Sequence, residues 1–269
     1  MLTETTNAPG ANKSAAIVRL IPGETERPKF VVIDELHEED GHKYRPGVWH
    51  FGIKHSKSGD GPATLTKQWV CSPLHIDAVT TDAHAGNYGR LLRFKTTLGQ
   101  WKTWAMPMEM LRGDASDLRG ELLRMGVVID AGYGRNQLAV YLQYKAPKRR
   151  IECALQTGWA ATGYQAFVLP DTVIGPKAAM VAYQSGEHAS EEYATAGTLS
   201  GWQEGIAALA VGNPMLVLGL CAAFAGPVLA RCGQESGGMH FIGDSSTGKT
   251  TILEAACSVW GGAGFRRSW

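Results

Sequence analysis

The residues with the clearest chemistry are Gly243-Asp244-Ser245-Ser246-Thr247-Gly248-Lys249-Thr250, followed by Thr251. They fit the spacing G-x-x-x-x-G-K-[ST]. Glycines in such a run permit backbone angles that aim successive N–H groups at one anion. A helix starting at the lysine adds its positive N-terminal end. Lys249 has the reach for the β- and γ-phosphates of a nucleoside triphosphate, and the Thr250 hydroxyl can ligate magnesium. Gly243, Asp244, Ser245, Ser246, Thr247, Gly248, Lys249, Thr250 and Thr251 are the predicted phosphate-binding set. ATP is the predicted ligand and Mg2+, on Thr250, the predicted metal.

The flanks are read as the elements that position this loop. Met239–Ile242 is apolar and predicts a short strand before it. Ile252, Leu253, Ala256 and Val259 recur at helical spacing after it, and Gly261-Gly262 stops that helix. Hydrolysis also needs an acid that holds magnesium and a group that positions water. The acid strand normally follows the loop, and the residues after Thr250 leave no room for it, so no catalytic residue is assigned. Phe30-Val31-Val32-Ile33-Asp34-Glu35 has the form of such a strand but precedes the loop, and it is read as a plain strand ending at a polar turn.

Other patterns are weaker. Arg90, Arg93, Lys95, Trp101, Lys102 and Trp104 interleave cations and rings on a predicted hairpin, as single-strand binders do. Alternation puts Leu92 and Phe94 on one face and Arg93 and Lys95 on the other, so a half-buried hairpin with a solvated face gives the same pattern. Lys145, Lys148, Arg149 and Arg150 form a denser basic cluster, read either as a solvated loop or as a DNA contact. His50 and His55 have no ligand partners nearby in sequence. The five cysteines, Cys71, Cys153, Cys221, Cys232 and Cys257, contain no C-x-x-C pair and read as buried reduced thiols of a cytoplasmic protein.

The chain has 269 residues and a formal charge of +1, which argues against a globally basic nucleic-acid coat. The predicted fold class is α/β, α+β overall. Residues 1–27 are expected as a disordered lead-in, 28–197 as a β-rich N-terminal domain, and 198–269 as helices with the start of a P-loop ATPase core. Strands are predicted at Lys29–Leu36, Val48–Lys54, Lys67–Cys71, Tyr88–Thr96, Gln100–Met106 and Leu138–Tyr144, with a turn at Thr96–Gly99. One helix is predicted after Asp114, with Leu118, Leu122 and Met125 as its stripe and Gly126 as its stop. Gln184–Thr198 reads as a linker.

Gly205–Ala230 carries no charge, and a spanning helix needs about 20 apolar residues. Gly212-Asn213-Pro214 breaks it, with Asn213 as N-cap and Pro214 at the first helical position. Two buried helices are expected, about Trp202–Val211 and Pro214–Cys232, with Ser200 and Gln203 as a capping box for the first. A membrane hairpin is the competing reading.

From about Phe30 to Trp269 the sequence resembles the bacterial family called domain of unknown function 927. The marks are Val168-Leu169-Pro170-Asp171, Gly197-Thr198-Leu199, Trp202, Asn213-Pro214, Ala223-Phe224-Ala225-Gly226, Gly237-Gly238, Ser245 through Thr251, Ser258-Val259-Trp260-Gly261 and Ser268-Trp269. Its members look like primase-associated helicases of phages, plasmids and mobile elements. The resemblance implies an AAA+ type P-loop ATPase acting on DNA in replication. It also implies a ring whose ATP sites are completed by a neighbour's arginine. The magnesium-acid strand, sensor residues and arginine finger expected downstream are missing, and the chain is expected to be incomplete after the loop helix. The alternatives carried forward are a non-catalytic nucleotide-binding or subunit-interaction fragment, a P-loop kinase or transferase, and a membrane protein.

Overall fold

The computed structural model describes residues 19–54, 63–145, 147–160, 163–185, 193–262, 264 and 266. Most of the expected lead-in, His55, Ala146, the middle of the expected linker and the mark Ser268-Trp269 lie outside these residues. The architecture is mixed α/β, with a β-rich N-terminal region followed by helices.

Two sheets carry the first half. β1 (Lys29–Ile33), β4 (Gly47–Lys54) and β5 (Thr64–Cys71) form an antiparallel sheet in the order β1-β4-β5, and β2 (His37–Glu39) pairs with β3 (His42–Tyr44) as a hairpin. A five-stranded sheet is made from β6 (Leu74–Thr81), β7 (Gly89–Lys95), β8 (Trp101–Pro107), β9 (Arg150–Ala154) and β13 (Val181–Tyr183). Its order is β13-β9-β6-β7-β8, with β9 parallel to β6 and β13 parallel to β9. A small antiparallel sheet holds β10 (Gly158–Trp159), β11 (Phe167–Val168) and β12 (Val173–Ile174).

The main core fills the space between the two larger sheets and two helices, α1 (Ser116–Arg124) and α2 (Tyr133–Tyr144). Val48, Val70, Leu74, Leu92, Phe94 and Met106 meet Leu118, Leu122, Leu138 and Leu142 there, all but one of them fully buried and Leu138 nearly so. The predicted hairpin is β7–β8, in the register Arg93↔Thr103, with Thr96 and Gly99 in its turn. Asp114 Oδ1 accepts from the Ser116 N–H at the start of α1, and Gly126 follows the helix at φ +89°.

Several expectations are corrected. Leu138–Tyr144 is helical, because Leu138, Tyr141 and Leu142 occupy one helical face at i, i+3 and i+4 and bury it against the sheet. Residues 19–27 are folded onto the first sheet, with Ile21 buried beside Val31, Ile33, Tyr44 and Phe51. Arg19 there pairs with Glu39 and Asp40. Cys71 and Cys153 are buried, whereas Cys221 and Cys232 are exposed. Burial pushes the Cys153 thiol up to about 11.

The second half is helical. α3 (Leu199–Trp202) continues through a π turn (Gln203–Ala207) into α4 (Ala208–Ala210). Its N-cap is Thr198, whose Oγ1 accepts from the Gly201 N–H, rather than Ser200; the Ser200 hydroxyl donates to Glu204 instead. α5 (Pro214–Arg231) starts as predicted, with Asn213 Oδ1 accepting from the Leu216 N–H and Pro214 in the first turn. The expected burial is not found: only 11% of α5 is buried, although its length and composition would let it cross a membrane. α6 (Lys249–Cys257) packs across α5.

Candidate functional site

Residues 243–250 form a turn that ends on α6. Ser246 sits at φ +62° and Gly248 at φ +85°, so the chain reverses within three residues before the helix begins. Gly248 is the N-cap position and has no side chain to offer, and no side chain caps α6. Its first-turn N–H groups therefore face outward with the positive end of the helix behind them. Thr247 Oγ1 donates to the Asp244 carbonyl at 2.9 Å. The Lys249 ammonium folds back over the loop and donates to the carbonyls of Gly243 (2.7 Å) and Asp244 (2.5 Å). The turn is thus closed by its own lysine.

Two cavities flank Lys249. One, of about 790 Å³, is lined by Lys249 and Thr250 with His240, Phe241 and Leu253. The other, of about 800 Å³, is lined by Gly243, Asp244, Thr247, Gly248, Lys249 and Thr251, and on its far side by Asn213, Met215 and Leu216. The N-terminal ends of α5 and α6 both border the second cavity. Among the described residues, Asp244 is the one carboxylate that lines either. Among the described residues no cluster of three His, Cys, Asp or Glu could hold a metal.

The helices behind the loop are fixed by close packing and by indole bonds. A Cβ on Gly219 would lie 2.5 Å from Ile252 Cγ2, so only glycine lets α5 and α6 approach this closely. Trp260 Nε1 donates to the Ala223 carbonyl, and Trp202 Nε1 donates to Ser258 Oγ. The small sheet joins from the other side. Trp159 Nε1 and the Tyr164 hydroxyl donate to the carbonyls of Pro227 and Ala230, Arg231 lies over both rings, and Phe167 stacks on Trp260.

The predicted strand Met239–Ile242 is not a strand. It is irregular, and Met239 and Ile242 are exposed. A strand needs a neighbour to bond to, and no described strand lies beside this segment. Asp34, at the end of β1, is held by His75 Nε2 at 2.7 Å and does not line either cavity. The hairpin's aromatic and basic set is split between faces. Trp101 is exposed and Arg93 lies over its ring, but Arg93 is also paired with Asp77 at 2.8 Å. Trp104 packs against the core and its Nε1 donates to the Ser185 carbonyl. Arg90 is buried with its Nε unpartnered, and the alternation that sends Leu92 and Phe94 inward places it there too. Lys145, Lys148, Arg149 and Arg150 are exposed ahead of and into β9.

A family model described as domain of unknown function (DUF927) matches residues 33–269. The chain belongs to this family. No match is found among curated proteins. A solved structure of the SCCmec type IV Cch active helicase is similar at a TM-score of 0.49 and 21% identity, covering 73% of this chain. The chain spans 38% of the length of that helicase chain.

Proposed function

We propose that this DUF927 chain is the ATP-binding module of a helicase-type P-loop ATPase acting in replication of a phage or mobile element. One observation carries the reading: a G-x-x-x-x-G-K-T turn leads into an uncapped helix N-terminus, with Lys249 inside the turn. Residues 243–251 would surround the phosphates. Lys249 would exchange loop carbonyls for phosphate oxygens, and the free N–H groups of α6 would donate to the remaining phosphate oxygens. Magnesium, held in part by Thr250, would supply charge neutralisation between the phosphates. Lys249→Ala removes a charge-assisted contact of about 1.5–3 kcal/mol, roughly 10- to 150-fold in affinity. Titration with a fluorescent ATP analogue measures this, and equal affinity in wild type and variant rejects the reading.

A second reading, a non-catalytic nucleotide-binding or subunit-interaction module, is favoured by one observation. Among the described residues the cavities beside Lys249 are lined by no carboxylate except Asp244. The chain then binds ATP and turns it over very slowly, since positioning and charge stabilisation supply nearly all the rate in phosphoryl transfer. Single-turnover hydrolysis near one per second, lost in Lys249→Ala, would exclude it. DNA as partner rests on the basic stretch Lys145–Arg150 and the Trp101 hairpin, and its binding should weaken steeply with salt. Self-association into a ring, cytoplasmic location and independence of membranes complete the proposal; sedimentation and fractionation test them.

A further inference from the structure

One face of the β1-β4-β5 sheet gives Val48 and Val70 to the main core. The other carries cations set on aromatic rings. Across β4 and β5, Trp69 stands opposite Trp49 and Lys67 opposite Phe51, so these four side chains share that face. The Tyr44 ring packs there too, 5.4 Å from Trp49 and 6.0 Å from Phe51. The Arg45 guanidinium lies 3.7 Å from the centre of the Trp69 ring. Lys67 Nζ lies 5.4 Å from that of Tyr44, and the Arg27 guanidinium 5.2 Å from that of Phe51. Three rings thus carry one cation each.

The loop that bears Arg45 is fixed from below. Trp49 Nε1 donates to the Arg45 carbonyl at 2.9 Å and Trp69 Nε1 to the Pro46 carbonyl at 3.0 Å. Gly47, at φ +147°, makes the room: a Cβ there would fall 2.1 Å from Trp69 Nε1. The cations are left over. Arg45 and Lys67 are exposed, and neither side chain donates to an acceptor among the described residues. Arg27 donates to the carbonyls of Pro22 and Thr66. None of the three has a carboxylate partner among the described residues. Neighbouring acids are engaged elsewhere, Glu26 with Lys29, Glu38 with Lys43, and Glu39 and Asp40 with Arg19.

We propose that this face binds single-stranded nucleic acid, with Arg45 and Lys67 on its phosphates and a base against the Arg45–Trp69 pair. Unpaired cations call for an anionic ligand, and a cationic one is shut out because the chain's own cations already occupy the rings. An acidic peptide would match the charge but has no planar group to set on a guanidinium and an indole, whereas a base stacks on either. A duplex keeps its bases stacked inside, so the strand is single. The Trp101 hairpin offers less, since Arg93 is paired with Asp77 and Trp104 packs against the core. With DNA as the partner proposed above, on which this assignment rests, the β1-β4-β5 face adds a further contact surface, far in sequence from Lys145–Arg150.

The test is fluorescence anisotropy of the full chain with fluorescein-labelled oligothymidylate over a series of salt concentrations. Arg45→Gln and Lys67→Gln should each weaken binding about fivefold and lower the slope of log affinity against log salt by about 0.7, the value for one phosphate contact on a single strand. Both side chains are exposed, so the variants should melt as the wild type does. Arg45→Lys keeps the charge but not the planar group. Its salt slope should stay near that of the wild type while affinity falls about fivefold. Photocrosslinking of an oligomer containing 5-iodouracil should mark Tyr44–Trp49 and Lys67–Trp69. Wild-type affinity and slope in both glutamine variants, with crosslinks confined to residues 101–104 or 145–150, would overturn the proposal and leave DNA as the partner. No retention of oligothymidylate at low salt would overturn both. Displacement by polyglutamate as readily as by unlabelled oligothymidylate of equal charge would overturn the proposal and give the face to an acidic peptide.

Discussion

The β-rich half and the helical half of this chain handle their apolar residues in opposite ways. In the first, Val48, Val70, Leu74, Leu92, Phe94 and Leu118 are entirely out of solvent, enclosed by two sheets and two helices. In the second, α5 is covered on one side by α6 and near its end by the small sheet, and Leu218, Phe224 and Val228 stand about half exposed. Both halves are comparably apolar, so composition does not make the difference; the number of covered faces does. The β-rich half encloses its main core within its own elements. The helical half is a single helical layer, positioned by indole bonds and one glycine contact. The segment with the clearest chemistry therefore rests on the part of the fold with the least burial behind it.

The largest expected effect follows directly. Phe94→Ala empties a fully enclosed site and should cost about 3–5 kcal/mol in chemical denaturation. Phe224→Ala removes a ring that already faces solvent and should change stability by no more than about 0.5 kcal/mol. Equal costs at the two positions would mean that α5 is covered in solution, and the contrast drawn between the halves would fail.

An intermediate effect is expected where the helical half does pack tightly. Gly219→Ala places a methyl 2.5 Å from Ile252 Cγ2, and overpacking of this kind costs about 1–3 kcal/mol. Ile252 lies in the first turns of α6, so the displacement should also reach Lys249 and weaken nucleotide binding. Adding Ile252→Ala should recover part of both losses, because the two residues share one contact. Thermal melting and nucleotide titration of the single and double variants measure the coupling. Strictly additive losses would show that α5 and α6 are not held together at this point.

What the sequence discloses follows the same division. Local signals are legible: the β7–β8 hairpin, the Asn213-Pro214 start of α5, the helix that begins after Gly248. Signals that depend on a distant partner are not. β6 alternates, but its buried Thr80 reads as polar until Gln184, far along the chain, is seen to hold its hydroxyl. β9 and β13 are short and parallel, and their pairing is fixed by strands more than twenty residues away. Leu138–Tyr144 is an apolar run whose length fits either a strand or a helix, and only the sheet beneath it chooses. Met239–Ile242 shows the converse error. Its apolar pattern is that of a strand, but a strand is a property of a pair. The cation-bearing face of the first sheet draws Arg27, Tyr44, Lys67 and Trp69 from several elements, so no stretch of sequence marks it.

The smallest expected effect is a pH dependence confined to the β-rich half. His50 lies on β4, with the Phe30 ring at 4.7 Å and the Tyr133 hydroxyl 2.7 Å from its Nδ1. Burial lowers its pKa below the ordinary histidine value, so the folded protein favours the neutral ring. With Tyr133 as donor, Nδ1 accepts and cannot also carry a proton. The unfolded chain has no such restraint and binds its proton at about pH 6.5. Below that pH the unfolded state holds more protons than the folded one, so stability rises with pH through this window. The contribution is complete above the ordinary histidine pKa and is lost as the pH falls toward the depressed folded value. Denaturation midpoints taken from about pH 7 to about pH 5 should fall, and less so for His50→Phe in a Tyr133→Phe background, where no hydroxyl is left without a partner. Exchange protection, corrected for the intrinsic pH dependence of amide exchange, should fall with acid in β4 and the start of α2 but not in α5 or α6. Loss of protection in the helices first would place the acid-labile contact in the other half and reverse the order of robustness inferred from burial.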